Sequence, residues 1–150
     1  KKITGLIIPG GESTTMSKLL NKYNLDKSIK DFVKDGGIIW GSCAGAILLG
    51  RCKDLKVKSL NLIDLDVERN AYGRQLDSFE TSILFNNKNI PGVFIRAPKI
   101  YNLDKTTIKL ASYKENVVAA RKNNVIVSTF HPELSDSLVF HKYFLESCKN

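Results

Sequence analysis

The apolar positions in the first third of the chain alternate between short continuous runs and segments of helical period. A run ends at Pro9, and Met16, Leu19, Leu20 and Tyr23 then recur at the spacing of one helical face. A second helical pattern and another apolar run follow, and the run leads into a third helix-forming segment. Strand, helix, helix, strand and helix in this order predict a parallel sheet with crossover helices.

The second helix of this series has a predicted start and a predicted end. Asp26 is the expected cap residue, and Gly36 and Gly37 follow the last apolar position as a stop signal. The predicted helix therefore ends just before the next buried strand.

The rest of the chain has the shorter period of β-strands. Strands are predicted over 60–67, 78–85, 93–96, 108–113, 117–121 and 125–130. Asn123 and Asn124 are typical of a hairpin turn because asparagine tolerates positive φ. A closing helix is expected over 135–148, with Leu134, Leu138, Leu145 and Cys148 on its apolar face. We therefore predict a doubly wound α/β fold, mostly parallel, with an antiparallel addition late in the chain.

The apolar run at 38–40 enters the tight turn Gly-Ser-Cys-Ala-Gly at 41–45. Strand, sharp turn and helix with Cys43 at the apex is the nucleophile-elbow arrangement, which aims the N–H of Ala44 at a developing oxyanion. A helix N-terminus is expected to lower the pKa of such a thiol. The plain structural alternative is a small buried cysteine in a Gly/Ala-rich turn.

A histidine with a nearby carboxylate favours the catalytic alternative. His131 and Glu133 directly follow the buried run at 125–130. His131 could act as a general base, and Glu133 could orient its ring. Cys43, His131 and Glu133 are thus a candidate nucleophile, base and orienting group.

Composition narrows the functional class without identifying a partner. The chain has 23 Lys and Arg against 15 Asp and Glu, a formal charge of +8. We expect no nucleic-acid partner, because the lysines are scattered and are not interleaved with stacking aromatic residues. No apolar run approaches membrane-spanning length, so no membrane association is expected. The odd count of three cysteines fits a reducing, cytoplasmic setting.

The order of these motifs resembles a known family. Gly-Ser-Cys-Ala-Gly at 41–45 and Phe-His-Pro-Glu at 130–133 are similar to the class I, or triad, glutamine amidotransferases. Further stretches at 9–16, 67–80 and 92–98 are similar to the glutaminase subunit of pyridoxal 5′-phosphate synthase, the Pdx2 or PdxT family. The resemblance covers nearly the whole chain.

This resemblance implies a site and a reaction. It implies hydrolysis of L-glutamine to L-glutamate and ammonia by Cys43, His131 and Glu133, with no cofactor or metal, and ammonia supply to a synthase subunit that makes pyridoxal 5′-phosphate. The oxyanion would lie on the N–H groups of Gly11 and Ala44. The residues implied in glutamine binding are Gly11, Glu12, Ser13, Arg69, Ile95 and Arg96.

From the residues alone, purely structural roles remain open for two of these groups. Gly10 and Gly11 could form an ordinary strand-to-helix turn capped by Ser13. Arg69 could be a surface arginine paired with an acid such as Glu68 or Asp77, although its planar fork of donors also suits a carboxylate.

We expect residues 1–150 to form a single glutaminase domain that is incomplete at its N-terminus. The family begins with a strand, a helix and a second strand that this sequence does not contain. We expect that first strand to be central, so its loss would leave two unpaired edges. The alternative functions are a glutaminase of another amidotransferase pathway, or a cysteine-hydrolase-like or regulatory protein of the same fold.

Overall fold

The computed structural model describes residues 3–71 and 78–149, so positions 72–77 of the motif at 67–80 lie outside the described residues. The strands are β1 Gly5–Ile8, β2 Ile38–Ser42, β3 Asp66–Glu68, β4 Ser78–Phe85, β5 Lys88–Ile95, β6 Lys99–Tyr101, β7 Ile108–Tyr113, β8 Asn116–Lys122 and β9 Val125–Ser128. The helices are α1 Ser13–Lys22, α2 Leu25–Lys34, α3 Ala44–Leu49 and α4 Val139–Ser147, with a 3₁₀ turn at Pro132–Leu134.

The main sheet has the order β1-β2-β9-β8-β7-β4-β5. The pairs β1–β2 and β2–β9 are parallel, and the pairs from β9 to β5 are antiparallel. The predicted α/β fold is confirmed, but the antiparallel part is wider than the expected late addition. Tight turns produce the additional antiparallel pairs, because Asn86, Asn87 and Asn123 have positive φ and join neighbouring strands as hairpins.

Helices cover both faces of the sheet. Successive residues of β2 point to opposite faces, so Ile39 packs with α2 and α3 while Trp40 packs with Phe140 and Phe144 of α4. Both residues are almost completely buried. This two-sided arrangement confirms the prediction of a doubly wound domain.

The sheet is continuous from β1 to β5. The break expected from a missing central strand is therefore not found among the described residues. In those residues β1 pairs with β2 along one side and forms an edge of the sheet.

The strand predicted over 60–67 is wrong in extent, since only Asp66–Glu68 is a strand. The preceding apolar residues are bound to the end of α3 instead. The N–H of Leu60 donates to the carbonyl of Leu48 over 2.7 Å, and that of Leu62 donates to Leu49 over 2.8 Å. The alternating pattern thus marks an irregular segment that is packed against a helix.

Two helix faces also differ from the prediction. In α1 the buried residues are Ser13 and Ser17, whereas Leu19 and Tyr23 are exposed. In α4 the buried residues include Phe140 and Phe144, whereas Leu134, Leu138 and Leu145 are exposed. Asn24 in the left-handed conformation, rather than Asp26, occupies the N-cap of α2. The positive φ of Asn24 makes the sharp turn between α1 and α2, which places the helix start two residues earlier than expected.

Candidate active site

The carboxyl ends of three parallel strands meet at one edge of the sheet. The glycine pair follows β1, Cys43 follows β2, and His131 lies shortly after β9. Open α/β sheets bind ligands at this edge. The topology therefore brings these widely separated segments together.

Cys43 lies at the apex of a strained turn between β2 and α3. Its φ is 50° and its ψ is −103°, and its N–H donates to the carbonyl of Ser128 over 2.8 Å. A Cβ atom on Gly41 would lie 2.5 Å from the backbone of Gly45, and one on Gly45 would overlap the carbonyl oxygen of Ile8. The elbow therefore requires glycine at both positions because of close backbone approach.

The expected lowering of the thiol pKa of Cys43 is wrong. Burial raises the pKa of Cys43 to about 11. The N–H of Ala44 lowers it, but the charge of Glu133 raises it further. Desolvation dominates because a thiolate in a nearly buried position loses its hydration. The thiol is thus neutral near pH 7, and a base must remove its proton during attack.

His131 is held by three neighbours. Its Nδ1 lies 2.7 Å from Oε1 of Glu133, and its backbone N–H donates to the carbonyl of Val93 over 2.8 Å. A Cβ atom on Gly10 would lie 2.5 Å from Cε1 of the His131 ring. The imidazole is therefore packed against Gly10, while Glu133 is placed to orient it.

Two buried side-chain hydrogen bonds join the strand that precedes Cys43 to the segment that precedes His131. Trp40 Nε1 donates to Ser128 Oγ over 2.9 Å. Ser42 Oγ donates to the carbonyl of Phe130 over 3.1 Å. Ser42 and Phe130 immediately precede Cys43 and His131, so these bonds hold the candidate nucleophile and the candidate base close together.

The glycine turn after β1 ends in a cap made by Glu12. Its carboxylate accepts from the N–H of Thr14 over 3.0 Å and of Thr15 over 2.6 Å. The bonds from Thr15, followed by that from Thr14, lower the pKa of Glu12 to about 2. Capping by Ser13 is therefore wrong, and Ser13 is instead buried at the start of α1.

Arg69 reaches this turn from the end of β3. Its Nη2 lies 3.4 Å from Oε1 of Glu12, and its Nη1 lies 2.6 Å from Oδ2 of Asp54. The side chain of Arg69 is 21% exposed, so the ion pairs are only partly screened. No pair of Arg69 with Glu68 is found among the described residues, and the alternative partner Asp77 lies outside them. Of the two acids in contact, Asp54 is closer to the guanidinium than Glu12.

A cleft of about 470 Å³ collects the predicted residues. Its lining includes Gly11, Glu12, Ser13, Cys43, Ala44, Arg69, Ile95, Arg96 and His131, together with Ile47 and Asn70, which sequence reasoning missed. Glu133 contacts the ring of His131. The sulfur of Cys43 also lies 3.9 Å from the carbonyl oxygen of Ile95. The predicted groups therefore share one concave surface.

Within residues 3–71 and 78–149, no group of three or more His, Cys, Asp and Glu side chains is arranged to hold a metal ion. In the same part of the chain, no helix is both long and apolar enough to cross a membrane.

Sequence comparison identifies relatives over the whole chain. The profile of the SNO glutamine amidotransferase family matches residues 1–150. The chain is 47% identical to the pyridoxal 5′-phosphate synthase subunit PdxT of Clostridium acetobutylicum, over 97% of this chain and 81% of that protein. It is 49% identical to the same subunit of Clostridium kluyveri, over 98% of this chain and 80% of that protein.

Comparison with solved structures agrees with the comparison of sequences. A crystal structure of a glutamine amidotransferase matches with a TM-score of 0.92 and 38% identity, over 98% of this chain and 80% of the other. The PurLQS structure from Thermotoga maritima matches with a TM-score of 0.66 at 14% identity, over 98% of this chain and 79% of the other, and so shows the fold alone. The chain belongs to the SNO glutamine amidotransferase family.

Proposed function

We propose that this chain hydrolyses L-glutamine to L-glutamate and ammonia with Cys43 as nucleophile, His131 as general base and acid, and Glu133 as the group that orients His131. The observation that carries the proposal is the cleft that brings Cys43, His131 and Arg69 together at one edge of the sheet. Family membership supports glutamine as the substrate.

The first chemical step forms a thioester. His131 takes the thiol proton as the sulfur of Cys43 attacks the side-chain amide carbon of glutamine. The negative charge that develops on the amide oxygen is stabilised by the N–H groups of Ala44 and Gly11. The C–N bond then breaks, and His131 returns the proton to the departing ammonia.

The second step releases glutamate. His131 takes a proton from water, which attacks the thioester carbon, and the sulfur leaves and is reprotonated. The products are glutamate and ammonia, so one water is consumed for each glutamine. Because burial raises the pKa of Cys43, the base is needed in the first step rather than a preformed thiolate.

Substrate binding is assigned to the rest of the cleft. Arg69 is the donor for the α-carboxylate, because a guanidinium fork matches carboxylate geometry. Gly11, Glu12, Ser13, Ile95 and Arg96 line the same cleft and are assigned to the binding of the amino-acid substrate.

The expected partner is the synthase subunit that builds pyridoxal 5′-phosphate, since the curated relatives carry the name of that enzyme's PdxT subunit. The expected compartment is the cytoplasm, in keeping with the free cysteines 43, 52 and 148. Coupling hydrolysis to docking prevents loss of ammonia, so turnover should rise when the synthase subunit is added. Rotation of the Gly10–Gly11 peptide toward the oxyanion would raise the rate about 10²–10³-fold, because it adds one N–H donor.

The test measures glutamate release by the full-length protein, with and without the synthase subunit. Arg69→Ala should raise KM for glutamine more than it lowers kcat, because a carboxylate donor binds the ground and transition states alike. A glutamine analogue that alkylates thiols should label Cys43. No turnover with the synthase and no labelling would reject the glutaminase and favour a regulatory protein of the same fold. Turnover that rises only with another ammonia acceptor would reject the assigned pathway.

A further inference from the structure

Asp54 contacts the arginine of the cleft from a loop that has no catalytic motif. Its Oδ2 lies 2.6 Å from Nη1 of Arg69, and 15 positions separate the two residues along the chain. The contact with Glu12 on the other nitrogen is longer, at 3.4 Å. Glu12 also accepts hydrogen bonds from two N–H groups of α1. Of the two acidic partners of Arg69 among the described residues, Asp54 therefore makes the closer contact.

The position of Asp54 is itself fixed by its own turn. Its Oδ1 accepts from the N–H of Lys56 over 2.9 Å, and its carbonyl accepts from the N–H of Val57 over 2.9 Å. The Lys56 N–H, and then the charge of Arg69, lower the pKa of Asp54. The carboxylate thus remains charged at neutral pH while one of its oxygens is anchored to the backbone.

An anchored carboxylate limits the motion of a long side chain. Arginine has several freely rotating bonds, and immobilising such a side chain during binding costs free energy. Its guanidinium has five N–H donors, and the pairs with Asp54 and Glu12 leave donors for a ligand in the cleft. Holding one nitrogen from outside the cleft therefore orients the rest before a substrate arrives.

We propose that Asp54 is a positioning residue that holds Arg69 ready for the α-carboxylate of glutamine. This inference rests on the proposed function. It adds that recognition of the α-carboxylate depends on a charged residue that touches the arginine and does not touch the substrate. The loss of this charge should weaken glutamine binding and leave the rate at saturation almost unchanged.

The experiment compares Asp54→Asn, Asp54→Glu and a matched control in the full-length protein with its synthase subunit. Asp54→Asn keeps an oxygen for the Lys56 N–H but removes the charge, so KM for glutamine should rise about 3- to 10-fold at similar kcat. Asp54→Glu restores the charge and should recover part of this loss. Asp104→Asn is the control, because Asp104 accepts from the N–H of Thr107 in a similar turn but pairs with Lys122.

Two further measurements separate positioning from loss of structure. In an Arg69→Ala background, Asp54→Asn should have no further effect on KM, because the group that it positions is gone. With L-glutaminamide, which lacks the α-carboxylate, Asp54→Asn should also leave KM unchanged. The Asp104→Asn variant should keep the KM of the unmodified protein for both substrates.

Failure of the positioning role and failure of the proposed function give different results. An unchanged KM for glutamine in Asp54→Asn, or the same rise in KM with and without Arg69, would overturn the positioning role while leaving the glutaminase intact. If the unmodified protein releases no glutamate even with the synthase subunit, the proposed function fails, and the assignment of a glutamine carboxylate to Arg69 fails with it.

Discussion

The packing of Gly10 against His131 gives the sharpest prediction. A Cβ atom at position 10 would lie 2.5 Å from Cε1 of the imidazole, whereas carbon atoms in contact prefer about 3.5 Å or more. Gly10→Ala must therefore move the ring or the glycine turn by about 1 Å. Misplacement of a catalytic group by 1 Å can cost about 10²-fold in rate. We expect kcat for glutamine to fall by about this factor.

The assay is glutamate release at saturating glutamine with the synthase subunit present, together with thermal unfolding followed by circular dichroism. If the His131 ring is the group that moves, Gly10→Ala should add little to the loss already caused by His131→Ala. Gly36→Ala is the control: a Cβ atom there meets nothing within 4 Å, but φ is 90°. It should lower stability by about 1–3 kcal/mol through backbone strain and leave kcat unchanged. A Gly10→Ala variant that is as stable and as fast as the unmodified protein would refute the reasoning.

Other changes test the remaining parts of the site. Cys43→Ala should abolish glutamine hydrolysis while Cys52→Ala keeps most of it, and activity in the first variant would exclude the thiol mechanism. His131→Ala should lower kcat by about 10²–10⁴-fold, and Glu133→Gln should lower it less. A larger loss in Glu133→Gln would show that the roles of the two residues are assigned the wrong way round. Because burial raises the pKa of Cys43 to about 11, alkylation of the free protein by iodoacetamide should keep accelerating from pH 8 to pH 10. A plateau in that rate below pH 8 would show a thiolate already formed. Ser42→Ala should lower kcat with KM for glutamine nearly unchanged, which progress curves at several glutamine concentrations would check.

The groups that carry the proposed chemistry were predictable because each lies in a compact local motif. Cys43 sits between glycines whose close approach the elbow demands, and His131 follows a buried strand with Glu133 two positions later. Arg69 required the family resemblance, since an isolated arginine at a strand end is more often a surface residue. The predictions for Cys43, His131 and Glu133 depended on residues that are close together in the sequence, where spacing strongly limits geometry.

Other features depend on contacts that spacing does not encode. Asp54 lies in a loop without periodicity, and only the fold brings it to Arg69. The apolar face of α4 was ambiguous because its leucines and phenylalanines both follow a helical spacing, and the position of the sheet selects Phe140 and Phe144. The pKa of Cys43 was predicted in the wrong direction because burial outweighs the adjacent N–H group, and burial follows from packing.

Trp40 gives this protein an internal optical reporter. It is the only tryptophan in the sequence, its indole is 1% exposed, and its Nε1 is bonded to Ser128 of the strand that precedes His131. Its ring centroid lies 5.0 Å from that of Phe140 on α4. Separation of α4 from the sheet would hydrate the indole and shift its fluorescence to longer wavelength. A single emission spectrum can therefore show whether an inactive variant has lost its chemistry or has loosened the packing three residues from Cys43.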